Sequence, residues 1–177
     1  MQSDNNNYLT HTLPVIYTAL THGLLTKEDV MNWAYHIIDQ EEQPDIIIID
    51  LVLSGSKSIQ ETYHYLGQGD ADTIHGRPLL GLLHHQYKSS NFDLAKTIQT
   101  LYSLTITTNL NGIETNTIYY IEYINDDYLE GYVTPEELSQ KIRQFLETYQ
   151  HYTIYNNDQW PELDKKIDEI QAAAQHP

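Results

Sequence analysis

The chain has 177 residues, and its 25 Asp and Glu outnumber its 9 Lys and Arg, which gives a formal net charge of −16. An acidic surface repels nucleic acid and anionic membranes, so this composition argues against direct binding to either and favours basic protein partners. The absence of cysteine excludes disulfides, thiolate metal sites and cysteine nucleophiles.

The length predicts one domain with a sizeable core. Residues 1–7 are polar and are expected to be disordered, which leaves 8–177 as a single helical domain. The N-terminal residues have neither the basic nor the apolar region of a signal peptide, and no apolar run approaches the ~20 residues that span a bilayer. The expected location is therefore cytoplasmic.

The first two helices are predicted from apolar spacing and from their end signals. Apolar residues from about Tyr8 onward fit one helix face, and Pro14 within them predicts either a kink or a helix that starts near it. Gly23 is a typical left-handed helix end. Thr26, followed by first-turn acids, is a good N-cap for a second helix that reaches about Gln40.

The segment 45–53, DIIIIDLVL, is the most ambiguous in the chain. Its β-branched run between Pro44 and Gly55 is typical of a buried strand. Asp50 is awkward in a strand buried on both faces, and the neighbouring segments are helical. These points favour a short buried helix that begins at Pro44 or Asp45.

Helices are expected near 56–66, 77–88 and 91–103. His84 and His85 are adjacent on the second of these, so one should point to the core and the other to solvent. Threonine and isoleucine then alternate around Asn111-Gly112, a strong hairpin signal, so 104–118 is predicted to form a small β-hairpin or an ordered loop. Helical spacing returns from Ile118 and continues to the C-terminus. The predicted fold class is mainly α, a single-domain bundle of helical hairpins.

Two segments of the chain match each other in kind, 23–30 and 131–138. Each has a glycine, two apolar residues, a threonine N-cap and a pair of first-turn acids, and Pro135 takes the first helical position in the second copy. Convergence explains the match because any tight helical hairpin favours these residues. Common descent from an ancient helical repeat is the alternative.

The most informative segment lies between Lys96 and Lys141, where no Lys or Arg occurs. Acids and tyrosines are interleaved there, and tyrosine provides rigid contact area with a polar tip. Acids are predicted to pair with Lys and Arg of a partner, and tyrosines are predicted to be packing anchors. The predicted partner-binding residues are Tyr119, Glu122, Tyr123, Asp126, Asp127, Tyr128, Glu130, Tyr132, Glu136 and Glu137.

Signals for catalysis and for metal binding are weak. Residues 126–137 have the glycine and the final glutamate of an EF-hand, but Tyr128 stands at a ligand position, which favours an ordinary glycine-capped hairpin. Ser54-Gly55-Ser56 is not a nucleophile elbow, and no phosphate-binding loop or HExxH motif occurs. We therefore predict no enzyme activity, no catalytic residue, no cofactor and no metal.

A family resemblance rests on the first helical hairpin and on the segment that follows it. The chain resembles immunity proteins of bacterial contact-dependent growth inhibition and polymorphic toxin systems, over roughly 10–66 and loosely over 118–149; 67–112 has no match. The matching residues are Gly23, Leu24, Leu25, Thr26, Glu28, Asp29, Val30, Trp33, Ala34, Pro44, Asp45, Ile49, Asp50 and Leu51. The resemblance implies a helix at 45–53 and a cytoplasmic protein, not an enzyme, that blocks one cognate toxin domain.

The predicted function is therefore that of an immunity protein that neutralises a basic toxin domain, such as an RNase, by protein–protein interaction. Such a protein needs no contact with nucleic acid or membrane. One alternative is a DNA mimic that inhibits a nucleic-acid-binding protein, which should bind many basic proteins. The other is a helical scaffold or enzyme, which should have a deep apolar pocket with converging polar groups.

Overall fold

The computed structural model describes residues 7–53, 73–88 and 92–175. Within these ranges the regular elements are helices, and there is no β-strand. The chain divides into two compact units, Met1–Gly69 and Asp70–Pro177. The helix expected near 56–66 lies outside the described residues. So do residues 1–6 of the N-terminal stretch that was expected to be disordered.

The first unit contains helices α1 (Asn7–Thr21), α2 (Lys27–Gln40) and α3 (Ile46–Leu53), and α2 packs against α3. Trp33 of α2 is fully buried. Helix α1 begins at Asn7 and runs through Pro14, so of the two alternatives predicted at Pro14, a helix that starts near it is wrong.

Segment 45–53 is helical, which confirms the favoured interpretation. The carboxylate of Asp45 accepts a hydrogen bond from the backbone N–H of Ile47 over 2.9 Å, which satisfies one of the free donors at the start of α3. Ile48 and Leu51, three residues apart, are buried, whereas the terminal residues Ile46 and Leu53 are exposed. This burial follows helical spacing and not the alternation of a strand.

The second unit is built around α4 (Gly76–Tyr87), whose residues from Gly76 to His84 are all buried. It contacts α5 (Leu94–Thr107) and α7 (Pro135–Glu147), and α6 (Gly112–Leu129) packs against both of those helices. A 3₁₀ turn, Asn157–Gln159, leads into α8 (Trp160–Gln175). His84 is buried and His85 is exposed, so this predicted division of the pair is confirmed.

The β-hairpin predicted near 104–118 is wrong, since these residues end α5 and begin α6. Asn111 is the N-cap of α6, and its side-chain oxygen accepts hydrogen bonds from the N–H groups of Ile113 and Glu114, each over 2.9 Å. The threonine hydroxyls here donate back to carbonyls one turn earlier, as Thr108 does to Leu104 over 2.6 Å, so they find partners within the helix.

The two matching segments of the sequence form the same kind of helical hairpin. Gly23 and Gly131 adopt φ values of +67° and +84°, the left-handed conformation predicted for each helix end. Thr26 and Thr134 then cap the next helices, each in a reciprocal capping box with the acid three residues later. These predicted caps are confirmed, and convergence and common descent both remain compatible with them.

Candidate protein-binding surface

Helix α6 has an apolar face turned inward and an acidic, aromatic face turned outward. Ile118, Ile121 and Ile124 are buried. On the other side lie four exposed residues at positions i, i+4, i+7 and i+11, a spacing that places them on one helix face. These four residues, which we call the acid–tyrosine stripe, are Tyr119, Tyr123, Asp126 and Glu130.

The other predicted binding residues lie around the stripe and do not all share its face. Glu122 and Tyr128 line a groove between α5 and α6. Asp127 is half-buried, and Tyr132 lies in the turn after α6 with 78% of its surface exposed. The exposed Glu136 and Glu137 begin α7. The ten predicted residues therefore form a stripe, a groove edge and a hairpin end.

The stripe carboxylates lack a cationic partner within the part of the chain that the structure describes. Ion pairs there involve His75, Arg77 and Lys166, with acids of α6 and α8, and none involves Asp126 or Glu130. Their negative charge therefore faces solvent and is available to a partner. Exposed acids of this kind attract a basic protein over a range of about 10 Å at moderate salt.

Glu137 differs from the other predicted contacts because its carboxylate already has a local role. It accepts hydrogen bonds from the backbone N–H and the hydroxyl of Thr134, over 2.8 Å and 2.9 Å. Both bonds lower the pKa of Glu137, and the bond from the backbone N–H has the larger effect. The side chain is exposed and also holds the first turn of α7.

Glu114 belongs to the same acidic segment of the sequence but is 1% exposed. Its carboxylate accepts a hydrogen bond from Nε of Arg77 over 2.6 Å and another from the hydroxyl of Tyr149 over 3.1 Å. The sequence did not predict this role because Arg77 lies 37 residues earlier. The Asn111–Glu114 spacing is typical of a capping box and predicts that Glu114 caps α6, but it does not predict the pairing with Arg77.

Arg77 connects α4 to both α6 and α8. Its Nη2 donates to Asp168 over 2.5 Å, and its Nη1 donates to the side chain and to the carbonyl of Asp164, over 3.2 Å and 3.1 Å. Burial alone would lower the pKa of Arg77, but hydrogen bonds with Asp168 and Glu114 raise it above its usual value. The guanidinium stays charged and fixes the first turn of α6. The stripe lies further along the same helix.

Two buried tyrosines complete this network. The hydroxyl of Tyr152 donates to Asp164 over 2.7 Å, and His75 lies 2.9 Å from the same carboxylate. Burial raises the pKa of Tyr149 and of Tyr152, and the nearby carboxylates raise them further. Burial would raise the pKa of Asp164 as well, but hydrogen bonds from His75 and Tyr152 outweigh it and lower that pKa.

A depression of about 200 Å³ opens beside Arg77 and is lined by its partners together with Asn109 and Asn111. The carboxylates of Glu114, Asp164 and Asp168 are all hydrogen-bonded to Arg77. Among the described residues, no group of three or more histidines and acids has an arrangement that could hold a metal ion. The network's chemistry is that of a charged clamp between helices.

The groove between α5 and α6 is the apolar neighbour of the stripe. It encloses about 600 Å³, and Tyr102 on its wall lies 6.2 Å from Tyr119 of the stripe, measured between ring centroids. Its charged lining residues, Asp93 and Glu122, are both acidic. The apolar and aromatic lining consists of Leu94, Ala95, Ile98, Tyr102, Tyr128 and Leu129.

Residues 126–137, which have the glycine and the final glutamate of an EF-hand, form the end of one helix and the start of the next. Asp126 and Asp127 belong to the last turn of α6, and the carbonyl of Asp127 accepts a hydrogen bond from the N–H of Tyr132 over 2.9 Å. This backbone bond, together with Gly131, closes the hairpin.

Comparisons with protein-family models, with curated proteins and with solved structures find no match for this chain. None of the helices that the structure describes combines the length and the apolar character required to cross a bilayer. Any assignment of function therefore rests on the chemistry of the surfaces described above.

Proposed function

We propose that this protein is an immunity protein that binds a cognate basic toxin domain and neutralises it by protein–protein interaction. The toxin in this proposal is a nuclease such as an RNase, because the substrate-binding cleft of a nuclease is basic and complements the acidic surface of this protein. The binding surface is the acid–tyrosine stripe of α6, extended by the groove edge and by the hairpin end at Tyr132 and Glu136.

One observation carries the proposal, which is that the stripe presents two tyrosines and two acids together on one exposed helix face. Tyr119 and Tyr123 are 47% and 62% exposed, so both rings offer contact area to a partner. Asp126 and Glu130 continue the same face. Solubility alone would account for the acids but not for the tyrosines beside them.

The tyrosines and the acids of the stripe have different roles in binding. Tyrosine is enriched among the residues that dominate interface energies, so Tyr119 and Tyr123 supply the packing. Acids at the rim of an interface mainly speed the encounter with an oppositely charged partner. The absence of any Lys or Arg between Lys96 and Lys141 keeps that attraction free of local repulsion.

An acidic helix face can also explain neutralisation. A nuclease cleft holds a phosphate backbone through Lys and Arg, and most of its affinity comes from those charges. Carboxylates of the immunity protein that pair with these Lys and Arg residues compete with the substrate for the cleft. The bound immunity protein then excludes RNA without itself contacting nucleic acid.

The test uses the full chain and the C-terminal domain of the protein encoded immediately upstream of its gene. Titration calorimetry is expected to give a one-to-one complex with a Kd of about 10 nM or tighter, with loss of the domain's nuclease activity. No complex with that domain would overturn the proposal. Equally tight binding to an unrelated basic protein such as lysozyme would favour a DNA mimic instead.

A further inference from the structure

We propose that the groove between α5 and α6 receives one large apolar side chain, Leu, Met or Phe, from a segment of the partner that carries Lys or Arg on both sides of it. This inference rests on the proposed function, because it names what the partner inserts beside the acid–tyrosine stripe. It assigns the groove as the apolar anchor site of the interface.

The shape and lining of the groove suit a side chain. Its volume of about 600 Å³ exceeds that of any single side chain, so it also accommodates part of the backbone that carries it. The walls are contributed by Ala95 and Ile98 of α5 and by Tyr128 and Leu129 of α6. Leu129 is 72% exposed and Tyr102 is 40% exposed, so both would lose apolar surface to water when the groove is filled.

The charges at the groove select the partner's chemistry. Asp93 and Glu122 are the charged residues of the lining, and both are negative. Anionic small molecules and cofactors are therefore disfavoured. A second copy of this chain is disfavoured as well, because its own net charge of −16 would be brought against the same sign. A basic segment with an apolar centre satisfies both the walls and the rim.

The groove is continuous with the stripe. The rings of Tyr102, on the groove wall, and Tyr119, on the stripe, lie 6.2 Å apart. Glu122 lines the groove one helical turn before Asp126. A single partner segment can therefore place its apolar side chain in the groove while its flanking cations meet carboxylates of α6.

The experiment compares two synthetic peptides of about 15 residues, long enough to cross one helix face. Both carry the same Lys and Arg residues; one has Leu and Phe at its centre, and the other has Ser at those positions. Calorimetry on the full chain is expected to show at least about tenfold tighter binding of the apolar peptide. Ala95→Trp, which places a large side chain in the groove without a change of charge, should abolish that preference.

Tyr102→Ala provides a second variant that removes a groove wall and should also reduce the preference, and circular dichroism checks that each variant is folded. Tyr120→Trp is the matched control, because Tyr120 is exposed on α6 but does not line the groove. Equal binding of the two peptides to the unmodified chain, or an unchanged preference in folded Ala95→Trp, would overturn the inference.

The failure of this inference is distinguishable from failure of the proposed function. If both peptides bind equally, and Asp126→Lys with Glu130→Lys weakens both, the stripe is retained as a basic-protein site and the groove inference is rejected. If neither peptide binds, the groove inference is rejected, and if the upstream-encoded domain does not bind either, both proposals are rejected.

Discussion

Nε of Arg77 lies 2.6 Å from Oε1 of Glu114, although the two residues are 37 positions apart in the chain. The pair joins the first turn of α4 to the first turn of α6, and the side chains are 10% and 1% exposed. A buried charge needs both a partner and hydrogen bonds, and this pair has both. The orientation of the acid–tyrosine stripe therefore depends on a contact outside the stripe.

Removal of the charge of Glu114 should destabilise the protein strongly. Glu114→Gln keeps the shape of the side chain but leaves the Arg77 guanidinium with one carboxylate fewer in a buried place. We expect the free energy of unfolding, measured with urea, to fall by about 3 kcal/mol. Glu122→Gln is the matched control, since Glu122 is only half-buried, and its effect should stay within about 0.5 kcal/mol.

Gly81 should tolerate no side chain. A Cβ atom there would lie 2.7 Å from Cβ of Tyr152 and 2.8 Å from the carbonyl oxygen of Tyr149, and the latter is backbone that cannot rotate away. Gly81→Ala should reduce the free energy of unfolding by about 1–3 kcal/mol, the usual range for overpacking. Gly112→Ala has open space around it, and a loss as large as that of Gly81→Ala would contradict this explanation.

The capping box of α7 should contribute measurably to stability. Thr134→Ala removes the hydroxyl that accepts from the N–H of Glu137 over 3.2 Å, so one N-terminal donor loses its partner. We expect a loss of about 1 kcal/mol in urea unfolding. Gln140→Ala, an exposed change within the same helix, serves as the control and should leave the free energy of unfolding nearly unchanged.

His84 should make stability depend on pH. Its side chain is 1% exposed, and neither ring nitrogen has a hydrogen-bond partner among the described residues. Burial, then the charges of Lys88 and His85, lower its pKa; His151 acts in the same direction and Glu147 opposes them. The neutral ring is therefore favoured in the folded state.

Because the folded pKa of His84 lies below the unfolded value of 6.5, its contribution is present above pH 6.5 and is lost as the pH falls towards the folded pKa. Relative to His84→Leu, the unmodified chain should lose up to about 1.4 kcal/mol of unfolding free energy per pH unit below that point. Parallel urea midpoints for the two proteins between about pH 7.5 and pH 5 would show that His84 does not titrate on unfolding.

Much of the helical fold can be predicted from the sequence because its helix ends carry local signals. The glycines and threonines of both matching segments specify the end of one helix and the start of the next, and both predictions are confirmed. Asn111-Gly112 misled the prediction because asparagine suits a hairpin turn and a helix N-cap equally well. Glu114, at the third helical position, was the signal that distinguishes them.

The surface was less predictable than the helices. Acid and tyrosine content indicated a candidate segment, but only the helical period separates Tyr119 and Tyr123 on the stripe from Tyr128 at the groove. The burial of Glu114 depends on Arg77, and no local pattern connects residues so far apart in the chain. A contact of this kind requires the packing of whole helices.

The most direct test of a stripe that attracts a basic partner is the association rate with the upstream-encoded domain, measured by stopped flow at about 50 mM and 300 mM salt. Asp126→Lys with Glu130→Lys should slow association about tenfold at low salt and flatten its salt dependence. Asp158→Lys with Glu169→Lys, exposed residues outside the stripe, makes the same change in net charge and should have a much smaller effect. Equal association rates for the two double variants would contradict the stripe as the site of encounter.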